Sequence, residues 1–176
     1  MEKGYVQVYT GDGKGKTTAA LGLALRAVGR GLKVVIFQFL KSSFSGELES
    51  ALRLTPELEI LRFNLMEKLL WEMSGEEREQ LKEATALGFI KARMMAMEGS
   101  FDIIILDEIM GVLNQGFLSN ADVCQLMDEK APSVELILTG RNAPREIVER
   151  ANLVTEMRAV KHYQEQGITA RDGIER

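Results

Sequence analysis

Cysteine and histidine are almost absent from this chain, which has one of each among its 176 residues, Cys124 and His162. A single cysteine cannot form an internal disulfide bond. A zinc site of several Cys and His ligands, or a Cys/His nucleophilic pair, would need residue types that the chain scarcely contains. The composition leaves open the chemistry of a hard metal ion that takes oxygen ligands.

Excess positive charge is also lacking, because 22 Lys and Arg stand against 26 Asp and Glu, for a net charge of −4. We therefore expect neither nucleic acid nor an anionic membrane as a partner, and any phosphate binding must be local. The sequence shows neither a signal peptide nor a long apolar span. Together with the single cysteine, this predicts a cytoplasmic protein, and the length suits one domain over residues 1–176.

Five apolar runs of strand length predict a parallel sheet, because they alternate little between apolar and polar residues and so resemble strands covered on both faces. They are YVQVYT, KVVIFQFL, LEILRF, FDIIILDE and VELILTG. Helical patterns lie between them at residues 16–29, 75–98, 120–130 and 143–151. The alternation predicts an α/β fold, with a mostly parallel sheet flanked by helices. Residues 64–74 fit either an active-site loop or an extra helix.

The stretch YTGDGKGKTT resembles the phosphate-binding loop G-x-x-x-x-G-K-[ST], with Thr10 in place of the first glycine. A strand pattern precedes it and a helical pattern follows, the context in which backbone N–H groups surround phosphate oxygens. We predict that it binds a nucleoside triphosphate; the alternative is a glycine turn without a ligand. The predicted binding residues here are Gly11, Asp12, Gly13, Lys14, Gly15, Lys16, Thr17 and Thr18.

Two acids follow a second apolar run, Asp107 and Glu108. Acids at the end of a buried strand need a cation nearby, and Mg²⁺ or Mn²⁺ bound by these acids and the Thr17 hydroxyl would supply it. The alternative is that one acid caps the next helix while only the other binds the metal, directly or through water. Lys14 also has two interpretations, contact with the polyphosphate or exposure to solvent.

The loop does not identify the bond that breaks, because kinases, ATPases, GTPases and other transferases share it. The N-K-x-D signature of G proteins is absent. One alternative that these residues leave open is a kinase or an ATPase acting on a small acceptor.

Over nearly its whole length the chain resembles the ATP:corrinoid adenosyltransferases of the phosphate-loop type. The similar segments, in order, are TGDGKGKTTAALGLALRAVG, VVIFQFLK, FDIIILDEI, LNQGFLS, LILTGRNAP, ANLVTEMRAVKH and GITARDGIE. The resemblance implies a RecA-like fold, a homodimer, and a reaction between ATP and a reduced corrinoid, either cob(I)alamin or cob(I)yrinic acid a,c-diamide. The 5′-deoxyadenosyl group would move to cobalt and triphosphate would leave, in adenosylcobalamin biosynthesis or salvage. An electron-donor protein or a flavin would reduce the cobalt. The alternative to this transfer reaction, besides a kinase or an ATPase, is a nucleotide-gated corrinoid carrier.

The resemblance also suggests roles for single residues. Lys14, Lys16 and Glu108 are assigned to catalysis, with the lysines neutralising the leaving triphosphate. Arg26 resembles an arginine near the sugar and base of the nucleotide, and Arg141 could reach phosphate; for each, an ordinary surface position is the alternative.

One departure concerns the aromatic-x-Trp motif that the family is understood to pack on the corrin. This chain has Phe63 and Trp71 in that region, separated by seven residues. We assign both to corrinoid binding, with Trp71 as an apolar wedge, and the alternative is that Trp71 belongs to the core. Lys41 and Glu47 are expected on the acceptor side, and His162 is expected to order the C-terminal segment.

Overall fold

The computed structural model describes residues 2–41, 43–64, 68 and 70–175. Within them, six strands form one sheet in which every neighbouring pair is parallel, in the order β3-β2-β4-β5-β1-β6. The strands are β1 (Val6–Thr10), β2 (Val34–Gln38), β3 (Leu58–Arg62), β4 (Ile103–Asp107), β5 (Glu135–Thr139) and β6 (Leu153–Glu156). The five predicted strands are confirmed, and β6 was not predicted. All four of its residues are exposed at the sheet edge, so it lacks the continuous apolar run of a strand covered on both faces.

Helices cover both faces of the sheet. They are α1 (Lys16–Val28), α2 (Gly46–Leu52), α3 (Gly75–Glu98), α4 (Ile109–Asn114), α5 (Asn120–Glu129) and α6 (Arg145–Arg150). The four predicted helices are confirmed to within two residues at each end. The two that were missed, α2 and α4, have seven and six residues, too few to show a helical period. In the uncertain segment 64–74, the described part contains a short 3-10 helix, Leu70–Glu72, whereas residues 65–67 and 69 lie outside the described residues.

Two apolar clusters, one on each face, hold the layers together. Alanines of α1 pack on one face, against side chains such as Ile36 and Ile105. Helices α3 and α5 pack on the other face, against side chains such as Phe37 and Leu106. Burying one such aliphatic or aromatic side chain contributes roughly 1.5–3 kcal/mol. Since β2 and β4 are buried throughout, their carboxyl ends are held in fixed positions.

The parallel arrangement brings the carboxyl ends of all six strands to one edge of the sheet. At this edge β1 leads into the glycine-rich loop and β4 ends at Asp107, with β5 between the two strands. Ligands of open α/β sheets bind in the crevice outside the carboxyl ends of the strands. The fold therefore places the predicted loop and the predicted acids on the same side of the molecule.

Candidate nucleotide site

The glycine-rich loop, residues 11–15, is held from behind by the chain that follows β6. The Gly13 N–H donates to the Met157 carbonyl (2.7 Å), and the Met157 N–H donates to the Thr10 carbonyl (2.8 Å). A Cβ added at Gly11 would lie 2.4 Å from the Met157 oxygen, and one at Gly13 would lie 2.7 Å from the Arg158 carbonyl carbon. These two glycines are therefore required by the approach of the 157–158 backbone, a reason that the sequence pattern did not reveal.

Lys16 is the first residue of α1, and its side chain reaches back into the glycine-rich loop. Its side chain is buried, and its Nζ donates to the carbonyl oxygens of Gly11 (2.6 Å) and Gly13 (2.8 Å). Burial lowers the pKa of the ammonium, while the nearby Glu108 carboxylate acts in the opposite direction. An ammonium group has three N–H donors, so after these two bonds one donor can serve an anionic ligand.

The N-terminus of α1 adds a second element suited to anions. Its N-cap, Gly15, has a φ of 121° and provides no side-chain capping bond. The first N–H groups of an α-helix have no partner within the helix, and the helix dipole makes this end positive. Lys16, Thr17 and Thr18 form this first turn, the arrangement in which helices bind phosphate.

Asp107 connects the end of β4 to the start of α1. Its carboxylate is fully buried, and Oδ1 accepts hydrogen bonds from Thr17 Oγ1 and Thr139 Oγ1, both at 2.8 Å. The Lys41 ammonium lies 3.0 Å from Oδ2. The buried charge is thus balanced by one cation and two hydroxyl donors, which fix the position of Thr17.

Glu108, the next residue, turns towards the cleft. Its backbone is left-handed (φ 63°), and its N–H donates to Thr139 Oγ1 at 2.9 Å. Burial and the neighbouring Asp107 raise the pKa of Glu108, while Lys16, Lys41 and Arg141 oppose this rise. Glu108 occupies the N-cap position of α4, yet its side chain makes no capping bond, so the helix-cap alternative is wrong for Glu108.

The oxygen atoms at this point suit a hard cation. The Thr17 hydroxyl and the Glu108 carboxylate both line the cleft, and Asp107 stands directly behind Thr17. The described residues contain no group of three or more His, Cys, Asp or Glu side chains that could hold a metal ion. A site with so few protein ligands fits Mg²⁺, which keeps several waters and takes phosphate oxygens as ligands.

The loop, the first turn of α1 and the acids line a cleft of about 710 Å³. Lys41, Glu47, His162 and residues 173–175 also line this cleft. Arg141 follows β5, and its Nη2 lies 3.4 Å from the Asp12 carbonyl oxygen. The structure therefore brings Arg141 to the loop, together with the acids and Lys16.

Three other predicted residues lie elsewhere. Arg26 is exposed in the last turn of α1, about 15 Å along the helix axis from Lys16, since each residue rises about 1.5 Å, and it does not line the cleft. Phe63 stacks on Phe37, with ring centroids 6.1 Å apart, and packs against the core. Trp71 is 78% exposed, so the alternative that it belongs to the core is wrong.

Gln38 and Arg62 form part of the site but were not predicted. The amide of Gln38, buried at the end of β2, donates to Glu47 Oε1 (3.0 Å) and to Asp107 Oδ2 (3.4 Å), and its oxygen accepts from Arg62 Nε (2.8 Å). Arg62 then donates to the carbonyl of Ser43 and the hydroxyl of Ser45, each at 2.6 Å. The glutamine within the apolar run KVVIFQFL was the one available signal of this network.

This network acts on the Glu47 carboxylate. Burial opposes ionisation, but hydrogen bonds from Gln38, from its own backbone and from Ser45, with the Lys41 charge, lower the pKa of Glu47 to about 2. Glu47 is therefore ionised at neutral pH beside Lys41. The two residues form a charged pair that lines the cleft.

Comparison with known proteins gives the family. Residues 2–176 match the family described as ATP:corrinoid adenosyltransferase BtuR/CobO/CobP. The chain belongs to this family. It is 35% identical to the corrinoid adenosyltransferase of Escherichia coli K12 over 175 residues, covering 99% of this chain and 86% of that protein. It is 33% identical to the corrinoid adenosyltransferase of Pseudomonas aeruginosa, with 99% and 84% covered, and 33% identical to the corrinoid adenosyltransferase CobA of Salmonella typhimurium, with 99% and 86% covered.

Among solved structures, the flagellar accessory protein FlaH from Methanocaldococcus jannaschii has a similar fold, with a TM-score of 0.58 and 14% identity over 89% of this chain and 72% of that one. This adenosyltransferase family member has the RecA-like α/β fold that the resemblance implied. Family membership supports a transferase that adenosylates corrinoids, with ATP and a corrinoid as substrates. None of the helices in the described part of the chain has the length and apolar character needed to cross a membrane.

Proposed function

We propose that this protein transfers the 5′-deoxyadenosyl group of ATP to the reduced cobalt of a corrinoid and releases triphosphate. The corrinoid is cob(I)alamin or cob(I)yrinic acid a,c-diamide, and the product serves adenosylcobalamin biosynthesis or salvage. The observation that carries this proposal is the cleft in which Lys16, the N-terminus of α1 and the Thr17–Asp107 hydrogen bond meet, in a chain of this family.

In this proposal the loop binds the triphosphate. Lys16 and the N–H groups of the first turn of α1 donate to its oxygens, and Arg141, which contacts the Asp12 carbonyl of the loop, adds a further positive charge. These groups balance the negative charge that grows on the triphosphate as it leaves. Because they are fixed before the reaction, little reorganisation is needed when this charge develops.

Thr17 and Glu108 would hold Mg²⁺, and Mn²⁺ could take the same oxygen ligands. Asp107 keeps the Thr17 hydroxyl in place from behind. When bound, the metal ion would add positive charge beside the departing phosphate oxygens. This division of roles makes Glu108 the metal ligand and Asp107 the residue that orients Thr17.

The proposed reaction requires little acid–base catalysis from the protein. Reduced cobalt is itself a strong nucleophile, so attack on the 5′-carbon needs no general base. The protein must instead align cobalt, carbon and leaving oxygen, which a loop fixed between β1 and α1 allows. The nearly complete absence of cysteine and histidine is compatible with this chemistry.

On the acceptor side we place the Lys41–Glu47 pair, and we assign the exposed ring of Trp71 to an apolar contact with the corrin. The proposal also includes a homodimer, a cytoplasmic location and an electron-donor protein or flavin that reduces the cobalt. The packing of Phe63 on Phe37 assigns Phe63 to the support of this region, and the exposed Arg26 has no role in this proposal.

An anaerobic assay tests the function. Purified protein is mixed with ATP, Mg²⁺ and chemically reduced cobalamin, the corrin absorbance is followed, and the phosphate product is identified. We expect light-sensitive adenosylcobalamin and inorganic triphosphate in equal amounts. Release of ADP and phosphate with an unchanged corrin spectrum would replace the proposal with phosphoryl transfer or ATP hydrolysis.

A further inference from the structure

Lys14, in the glycine-rich loop, is partly exposed and lines the cleft, but its ammonium group is bonded to the C-terminal part of the chain. Its Nζ donates to Glu175 Oε1 (2.8 Å), to the Tyr163 hydroxyl (3.1 Å) and to the Ile174 carbonyl oxygen (3.2 Å). An ammonium group has three N–H donors, so these three acceptors use all of them. All three belong to the segment 162–175, which we call the C-terminal wall.

Glu175 is the centre of this contact. Its carboxylate also accepts from the Arg171 backbone N–H (2.9 Å), from the Arg171 guanidinium (3.1 Å), and from the Tyr163 hydroxyl. Hydrogen bonds from Arg171, Lys14 and Tyr163 hold the pKa of Glu175 well below its usual range. The carboxylate is therefore ionised at neutral pH, and it remains bonded within the wall whatever Lys14 does.

The C-terminal wall closes one side of the nucleotide cleft. His162, Ile174 and Glu175 line the cleft, and the last two contact Lys14 of the glycine-rich loop. The ring of His162 is held in turn, because its Nδ1 accepts from the Gln164 N–H at 3.1 Å. The wall thus presents ordered side chains to whatever occupies the cleft.

Two attachments fix the wall and the chain leading into it to the same loop. Met157, just before the wall, exchanges backbone hydrogen bonds with Thr10 and Gly13, and Lys14 bonds the far end of the wall. An anionic residue in a phosphate cleft would repel its ligand if it stood alone. Here Lys14 and Arg171 both bond Glu175, so the cluster keeps a net positive charge.

We propose that Glu175 is a positioning residue for the nucleotide: through Lys14 it holds the C-terminal wall against the phosphate loop, so that the wall completes the triphosphate cleft. Lys14 acts through the wall and makes no direct contact with the phosphates. This inference rests on the ATP binding that the proposed function requires.

A competing explanation predicts the opposite change in ATP affinity when Glu175 is substituted. If Glu175 merely occupied Lys14 until ATP arrived, the carboxylate would compete with the triphosphate for the same ammonium. Removing the Glu175 charge would then free Lys14 and tighten ATP binding. The sign of the Glu175→Gln effect therefore distinguishes a positioning residue from a competitor.

The experiment measures the affinity of full-length protein for ATP with Mg²⁺ by titration calorimetry, without corrinoid. The variants are Lys14→Met, Glu175→Gln and the double variant. A partly exposed ion pair contributes up to about 1 kcal/mol, so each single change should weaken binding roughly fivefold. The double variant should be no weaker than the weaker single one, since both changes remove the same contact. In steady-state assays, Glu175→Gln should raise the KM for ATP more than it lowers kcat.

Glu149→Gln is the matched control, because it breaks the exposed Arg145–Glu149 pair of α6 and should leave ATP affinity unchanged. Tighter or unchanged binding in Glu175→Gln, or additive losses in the double variant, would overturn the proposal. Limited trypsin digestion gives a second readout, since release of the wall should speed cleavage after Lys161 and Arg171. Failure of the unaltered protein to bind ATP would overturn the proposed function itself. This outcome differs from failure of the Glu175 proposal, in which the unaltered protein binds ATP and only the variants depart from expectation.

Discussion

The hydroxyl of Thr17 donates a 2.8 Å hydrogen bond to the carboxylate of Asp107, 90 residues further along the chain. Thr17 lies in the first turn of α1, and Asp107 is the last residue of β4. This bond sets the distance between the first turn of α1, next to the glycine-rich loop, and the acids at the end of β4. Because Asp107 is fully buried, its charge must be met by fixed partners, and this requirement keeps Thr17 in a single position.

Asp107→Asn tests this arrangement. The substitution keeps the size of the side chain but removes the charge that the Lys41 ammonium meets at 3.0 Å, and it makes one acceptor a donor. We expect kcat/KM for ATP to fall about 10- to 100-fold, as for other residues that orient metal ligands. Adenosylation kinetics and thermal unfolding of the same preparation measure the effect.

The matched control for that variant is Asp128→Asn, in an exposed ion pair with Arg150 on the outer surface. Its kinetics should equal those of the unaltered protein. Full activity in Asp107→Asn would show that Thr17 is positioned without the carboxylate.

Gly13→Ala should destabilise the fold. The added Cβ would lie 2.7 Å from the Arg158 carbonyl carbon and 2.8 Å from that of Met157, and these are backbone atoms that cannot rotate away. We expect a loss of about 1–3 kcal/mol in the free energy of unfolding, measured by urea denaturation.

Gly22→Ala provides the comparison, since Gly22 lies inside α1 and an added Cβ meets nothing within 4 Å. Alanine is the better helix former, so this variant should gain about 0.5–1 kcal/mol. If Gly13→Ala proved as stable as Gly22→Ala, the loop would not be held by the chain after β6 in the way the structure shows.

Glu47 should make stability depend on pH. Its pKa is about 2 in the folded protein and near 4.5 when unperturbed, so the unfolded state binds the proton more readily. The ionised carboxylate therefore stabilises the fold above about pH 4.5, and this stabilisation disappears as the pH falls towards 2. The Glu47→Gln variant should be less stable by about 1–3 kcal/mol at pH 7, with the difference shrinking below pH 4.5.

Urea denaturation of the two proteins from pH 7 to pH 3 tests this pH dependence. Glu149→Gln, at an exposed carboxylate, should show no such convergence. Parallel curves for Glu47→Gln and the unaltered protein across the whole range would contradict the low pKa.

Trp71→Ala should separate binding from stability. The side chain is 78% exposed, so its removal should change the unfolding temperature by no more than a few degrees. If the ring packs on the corrin, affinity for reduced cobalamin should fall about tenfold or more, while ATP affinity stays the same. Leu52→Ala, another exposed apolar residue at 71% exposure, is the control. Unchanged corrinoid affinity in a folded Trp71→Ala protein would remove Trp71 from the site.

Much of the site was predictable because its signals are local. The spacing of Gly15, Lys16 and Thr17 after an apolar run indicated the glycine-rich loop. The acids Asp107 and Glu108, which follow FDIIIL, indicated the carboxylates of the candidate site. The positions of Arg26 and Phe63 were less accessible to this reasoning. Whether Arg26 faces the nucleotide depends on the direction of α1, and the packing of Phe63 depends on Phe37 of a neighbouring strand.

By itself, the sequence determined the α/β alternation, the position of the glycine-rich loop and of the two acids, and the family, because each depends on residues close together in the chain or on a pattern along it. The tertiary structure alone decided that Gly13 must lack a side chain, that Gln38 and Arg62 hold Glu47, and that Lys14 bonds Glu175. These contacts join different elements of the chain, some of them at opposite ends of the sequence, and the folded sheet brings them close together. The tertiary structure also decided the existence of β6. Its four residues are exposed and show no apolar run, and the strand forms through backbone pairing with β1.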